Sequence, residues 1–318
     1  MNAKDKRDYI LELYAKQIET IPFVSSDGIK FYMADAYICP LCLQAYAIGN
    51  KELTLEHVPP VSVGGKPILV TCKACNSNCG ADIDVCLTNE LEIVHNLNHL
   101  DSIPQKTRLA FNGIEINAQT TFSKTEGFKF MISPDNNNPI EFEGFMTEVE
   151  NSKEGYEIRV AANITNRKRD YELANIALLK SAYLMAFNEL GYMYVLNANT
   201  NIIRDQIHNP KKNVIGNAFI IDNKNEVLEN LPDGVYYAQL NKIGCVLVIM
   251  ELKLRQSEIK HSKAIVLPHP KDSNGHIYSE LSQQMGKIVN VSILGSVSHL
   301  PVTSVKVDEK ISDLCEIM

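Results

Sequence analysis

Nothing in this sequence is long and apolar enough to cross a bilayer. Its longest apolar runs, such as 245–250, fall far short of the roughly 20 residues a membrane helix needs. The opening residues, Met-Asn-Ala-Lys-Asp-Lys-Arg-Asp, are charged and hold no apolar stretch, so no secretory leader is expected. There is no excess of positive charge either: 31 Lys and Arg stand against 38 Asp and Glu, a net charge of −7. A nucleic-acid partner would therefore need a local basic surface, not the charge of the whole chain. The chain has no internal repeat and no low-complexity tract. Residues 101–318 show no Walker phosphate loop, glycine-rich dinucleotide motif or recognisable catalytic triad. These absences lead us to expect a cytoplasmic protein with reduced cysteines and no membrane partner.

What is present is ordinary in bulk. At 318 residues, with 45% hydrophobic and 22% charged residues, the chain has length for about two domains and a sizeable core. The informative feature is cysteine placement. Cys39 and Cys42 form one CxxC pair, Cys72 and Cys75 a second. Two residues between cysteines let a tight knuckle aim both sulfurs at one cation, and two such knuckles make a tetrahedral zinc site. Cys79, Cys86, Cys245 and Cys315 lie outside the pairs and read as small buried apolar residues.

Between the knuckles the chain reads Glu56-His57-Val58-Pro59-Pro60, then Gly64-Gly65, and Asn76 directly follows Cys75. Phosphodiester hydrolysis needs a water stripped of a proton, and His57, with a neutral imidazole near the working pH, suits that task. Charge building on the phosphate calls for a hard divalent cation held by oxygen, which Glu56 and Asn76 can offer. On a regular strand Glu56 and His57 would face opposite sides, so we expect Pro59 and Pro60 to impose a turn that reorients the pair.

Over residues 39–84 these elements resemble, in one register, the HNH endonuclease family, in the branch whose ββα-metal finger is pinned by a CxxC…CxxC zinc. The resemblance implies that Glu56 ligates the catalytic Mg²⁺ or Mn²⁺, that His57 is the general base, and that Asn76, opening the following helix, is the second protein ligand. It also implies structural Zn²⁺ on Cys39, Cys42, Cys72 and Cys75. One departure stands out: 66–71 contains no Asn where the family usually places one to brace the strand and loop. Asp84 matches an acidic position after the glycine. Two helical turns beyond Asn76, about 12 Å along the axis, it is expected outside the metal's ligand set.

Elsewhere, 3–20 reads as an amphipathic helix and 89–100 as another, with His95 and His99 four apart. Strands are expected at 29–32, 109–121, 127–133, 140–149 and 156–162, the later ones separated by turns such as Asn112-Gly113. The strongest helix spans 170–190, with an apolar stripe of Ile176, Leu179, Tyr183, Phe187 and Leu190 and with Lys180 close beside it. A short helix follows around Arg204, and both cations read as structural before they read as substrate contacts. Arg167-Lys168-Arg169 and Lys211-Lys212 read as solvated loops. Strands return at 214–221, 235–240, 244–252, 264–267 and 288–294, with a helix at 278–285.

The expectation is an α+β protein: an N-terminal helix (1–25), an HNH ββα-metal zinc finger (26–100), and an α+β domain (101–318) with antiparallel strands and a long buried helix. The expected function is metal-dependent cleavage of nucleic acid, DNA foremost, with a restriction or anti-phage defence role by analogy. Two alternatives stand beside it. One is a non-catalytic zinc module that binds nucleic acid or protein. The other is a nuclease triggered through a C-terminal sensor, where a regulatory partner or self-association would act.

Overall fold

Asn2 caps the first helix, its side chain accepting from the Asp5 amide, and α1 (Ala3–Glu19) buries Ile10, Leu11, Tyr14, Ala15 and Ile18 along one face. This is seen in a computed structural model. It describes residues 2–98, 104–123, 127–152, 159–162, 170–216, 219–221, 231–255, 257–271, 276–283, 291–297 and 305–306. The contacts form two compact units: Met1–Thr88 with Tyr171–Met318, and Asn89–Asp170. The finger thus groups with elements from the far end of the chain, a different arrangement from a linear division near residue 100.

In the first unit, β1 (Phe23–Val24) pairs with β2 (Lys30–Phe31) and, in parallel, with Val305–Lys306. The hairpin of β3 (Ala36–Ile38) and β4 (Ala45–Ala47) carries the first knuckle. Next come β5 (Leu53–Val58) and β6 (Lys66–Cys72), antiparallel, then α2 (Lys73–Cys79), which together make the expected ββα unit. A π-helical turn, Gly80–Asp84, separates α2 from α3 (Val85–Asn98). Antiparallel sheets with helices give the α+β class expected.

The second unit is a four-stranded antiparallel sheet, order β10-β7-β8-β9. Its strands are β7 (Gln105–Phe111), β8 (Ile114–Ser123), β9 (Gly127–Met131) and β10 (Arg159–Ala162). Asn112 and Gly113, both at positive φ, close the β7–β8 hairpin and divide the stretch expected as one strand. The strand expected at 140–149 is instead a helix, α4 (Pro139–Asn151). Asn138 caps it through the Ile140 amide and Pro139 sits in its first turn, a start signal that outweighs the apolar residues behind it. Phe145 of α4 packs with Leu109, Phe111 and Ile116 of the sheet.

Back in the first unit, α5 (Tyr171–Leu190) is buried around nearly its whole circumference. Such a helix has no solvent face to be amphipathic about. Gly191, at φ +70°, ends it, and α6 (Tyr192–Val195) and α7 (Asn201–His208) follow. A five-stranded antiparallel sheet, order β11-β14-β13-β12-β15, backs α5. Its strands are β11 (Ile220–Ile221), β12 (Gly234–Leu240), β13 (Ile243–Lys253), β14 (Lys260–Pro268) and β15 (Val291–Ser296). The helix α8 (His276–Gln283) packs on β13 and β14. Arg167-Lys168-Arg169, His99 and Cys315 lie outside the described residues. Among the described residues no helix is long and apolar enough to cross a membrane.

Candidate active site

The knuckles come together as their spacing requires. The sulfurs of Cys39, Cys42, Cys72 and Cys75 lie within 4.8 Å of one another, and those of Cys42 and Cys72 are 3.8 Å apart. Four sulfurs about 2.3 Å from a shared zinc stand roughly 3.8 Å apart at the corners of a tetrahedron, so the donor set fits Zn²⁺. The Cys72 amide donates to the Cys39 sulfur at 3.3 Å and the Cys75 amide to the Cys72 sulfur at 3.5 Å. Those bonds favour thiolates and set the knuckle conformation. Cys79 stays outside the cluster, and burial pushes its thiol up to about 12.

The C-terminal helices grip the first knuckle by its backbone. Tyr192 on α6 donates its hydroxyl to the Ile38 carbonyl and accepts from the Ile38 amide, both at 2.9 Å. Tyr183 on α5 donates to the Pro40 carbonyl at 3.0 Å, and His208 on α7 donates through Nε2 to the Leu41 carbonyl at 2.9 Å. Arg204 is buried and donates to Tyr183, Thr200 and the Val195 carbonyl, with Asn201 also within reach. It is a structural cation, and the zinc finger is built into the core of its unit.

Residues Glu56 and His57 sit on β5 at a bulge. Glu56 pairs with Leu69 and His57 with Pro67, so Ile68 is the extra residue on β6. The irregularity thus lies on the partner strand, directly opposite the Glu56-His57 pair. The chain then turns tightly: Gly64 caps a short 3-10 turn at φ +94°, and a Cβ on Gly65 would overlap the Pro59 carbonyl oxygen. Those two glycines are demanded by geometry.

The two neighbours meet different surroundings. Glu56 is 2% exposed. Its Oε2 accepts from the Thr71 hydroxyl at 2.9 Å and its Oε1 from the Lys180 ammonium at 2.9 Å. His57 is half-buried, and among the described residues no hydrogen bond or ion pair engages its imidazole. Asn76 lies inside α2, because Cys72 is the cap and accepts from the Cys75 amide, so the helix opens before Asn76 and not at it. Asn76 Nδ2 donates to the Thr54 hydroxyl and the Leu55 carbonyl, both at 3.1 Å. That locks α2 to β5 and leaves Oδ1 as the atom Asn76 can offer.

Asp84 closes the π turn. The π turn carries it to Lys180, whose ammonium it meets through Oδ2 at 2.7 Å. Asp84 and Glu56 thus share one ammonium. Lys180 is 0% exposed. Burial pulls its pKa down, but the Glu56 and Asp84 carboxylates outweigh this and hold it above the usual lysine range. Burial raises the Asp84 carboxyl above the usual range against the pull of Lys180.

Sequence reasoning did not pair Lys180 with Glu56, and it missed Thr71. The signal for Thr71 was available: two residues along β6 from Leu69, it returns to the side Glu56 faces. A cavity of about 500 Å³ lies in the second unit, lined by Lys106, Asn117, Gln119 and Met131 among others, and contains none of these residues.

Residues 39–92 match the family model described as HNH endonuclease, a description that points to a nuclease and to nucleic acid as its partner. Searches of curated proteins and of solved structures return no match.

Proposed function

We propose that this protein, with its 39–92 segment in the HNH endonuclease family, is a metal-dependent nuclease that hydrolyses phosphodiester bonds of nucleic acid, DNA foremost. The observation that carries the reading is His57, a half-buried and unengaged imidazole opposite a bulge and beside an anchored carboxylate, in a ββα unit braced by four cysteines. In this reading His57 takes the proton from the attacking water, the water oxygen bonds to phosphorus, and the 3′ oxygen leaves with the electron pair of the broken P–O bond. The products carry 5′-phosphate and 3′-hydroxyl ends.

Glu56 and Asn76 hold the divalent cation, Mg²⁺ or Mn²⁺, through oxygen. Each carboxylate oxygen has two lone-pair sites, so the bonds to Lys180 and Thr71 leave Glu56 capacity to bind. When bound, the cation offsets charge on the scissile phosphate and the leaving oxygen. Thr71 and Lys180 fix the Glu56 carboxylate, and Asn76 Nδ2, anchored on β5, fixes the direction of its Oδ1. A restriction or defence role is the biological setting this chemistry suggests, by analogy alone.

A second reading, a non-catalytic zinc module, draws on the burial of Glu56 and the engagement of both its oxygens. Supercoiled plasmid incubated with the full chain separates the two. Nicked or linear product that needs Mg²⁺ or Mn²⁺, and that Zn²⁺ does not support, is expected of the nuclease. Intact plasmid under every metal favours the module.

A further inference from the structure

Of the four oxygens on Glu56 and Asp84, three are spoken for. Thr71 takes one on Glu56, and Lys180 takes the other and one on Asp84. The fourth, Asp84 Oδ1, is buried and has no hydrogen-bond partner. Leaving a buried acceptor unsatisfied costs about 1–3 kcal/mol, more when it is charged, so such an atom calls for a partner that the chain itself does not supply.

The backbone goes to some trouble to put it there. Continuous α-helix from α2 into α3 would rotate residue 84 elsewhere. Instead Gly80–Asp84 forms a π turn, a widening that recurs at functional sites. The charges agree with the geometry. Two carboxylates against the single Lys180 ammonium leave this buried cluster with a formal charge of −1, which favours a further cation.

We infer that Asp84 is an additional ligand of the divalent cation, offering Oδ1, and that Lys180 is a positioning residue that holds Asp84 beside Glu56. This deepens the nuclease reading and rests on it. It also explains why the finger is built into its unit's core. The carboxylate pair is assembled by a lysine 124 residues away from Glu56 in sequence. The finger then has its full acid set only when α5 is docked against it. Lys180 does not touch substrate; it acts through the two carboxylates.

The test measures metal binding alone, on the full zinc-loaded chain without nucleic acid. Mn²⁺ titration followed by electron paramagnetic resonance gives the affinity and the number of sites. Asp84→Asn should weaken Mn²⁺ binding by at least about tenfold, since loss of even an outer partner costs that much. Asp82→Asn, on an exposed neighbour, should leave it unchanged, and zinc content should stay the same in both. Asp84→Ser repeats the measurement with a side chain that carries no carboxylate and is too short to reach the cation. Mn²⁺ bound as tightly by both Asp84 variants as by the wild type would overturn the inference and leave the nuclease reading standing. A wild-type chain with no Mn²⁺ site at all would overturn the metal-dependent reading together with the inference.

Discussion

Replacing Lys180 with Met tests how much of the fold depends on the buried charge cluster. Met keeps an unbranched apolar stem of similar length, so the packing of α5 changes little while the ammonium is lost. What remains is Glu56, 2% exposed, and Asp84, both deprived of the cation that stood 2.9 and 2.7 Å away. Removing one partner of a buried ion pair costs about 3–5 kcal/mol, because the other charge stays buried and uncompensated. With two carboxylates stranded, the upper part of that range applies. The folding equilibrium should shift by roughly three powers of ten.

The penalty should depend on pH in a definite direction. Asp84 has a carboxyl raised above its unfolded value, so its contribution favours the folded state at low pH and is lost as pH rises through the folded pKa. Without Lys180 that upward shift grows. The gap between variant and wild type should therefore narrow as pH falls, a comparison made at pH 8 and pH 6. Urea unfolding followed by far-ultraviolet circular dichroism at both values measures it. A penalty under about 1 kcal/mol at pH 8, or one that grows at pH 6, would refute the reasoning.

The zinc assignment predicts about one tightly held zinc per chain, with Cys39→Ser and Cys75→Ser both losing it and unfolding the finger; atomic absorption after dialysis decides this. Gly65→Ala should destabilise the chain by about 3 kcal/mol, because its Cβ overlaps the Pro59 carbonyl and the turn behind the bulge cannot close; a melting curve reports it. Asn76→Ser should need more Mg²⁺ than wild type for the same cleavage rate, since Ser lacks the amide oxygen. Full activity at limiting Mg²⁺ would reduce Asn76 to the brace seen on Thr54 and Leu55.

What the sequence disclosed was local. Two CxxC pairs state a zinc site because ligand spacing is a short-range property, and the ββα order came with the resemblance that these pairs, Glu56-His57 and Gly64-Gly65 carry to the HNH endonuclease family. The helix at 170–190 was legible because apolar residues recur around its whole surface. The misread element, α4, carries Ile140, Phe142 and Val149, which suit a strand. Its Asn138-Pro139 start decided the outcome. Lys180 could be placed beside an apolar stripe, but its partners lie 124 and 96 residues away and only the packed fold reveals them. The π turn is equally silent in sequence, since Gly80–Asp84 reads as ordinary helix, and so is the pairing of Asp84 with Lys180. Tyr183 reads as part of an apolar stripe, and the hydroxyl bonds that it and Tyr192 make to the first knuckle likewise depend on tertiary structure.

The central claim is that His57 is the base of a nuclease, and His57→Ala tests it most directly. Plasmid cleavage by wild type and variant should be compared in Mg²⁺ or Mn²⁺, with zinc content and melting temperature measured on the same preparations. The account predicts a fall of roughly 10²-fold or more in rate, the usual contribution of a general base, with zinc and stability unchanged. Cleavage by His57→Ala at the wild-type rate, from a preparation free of contaminating nuclease, would contradict it.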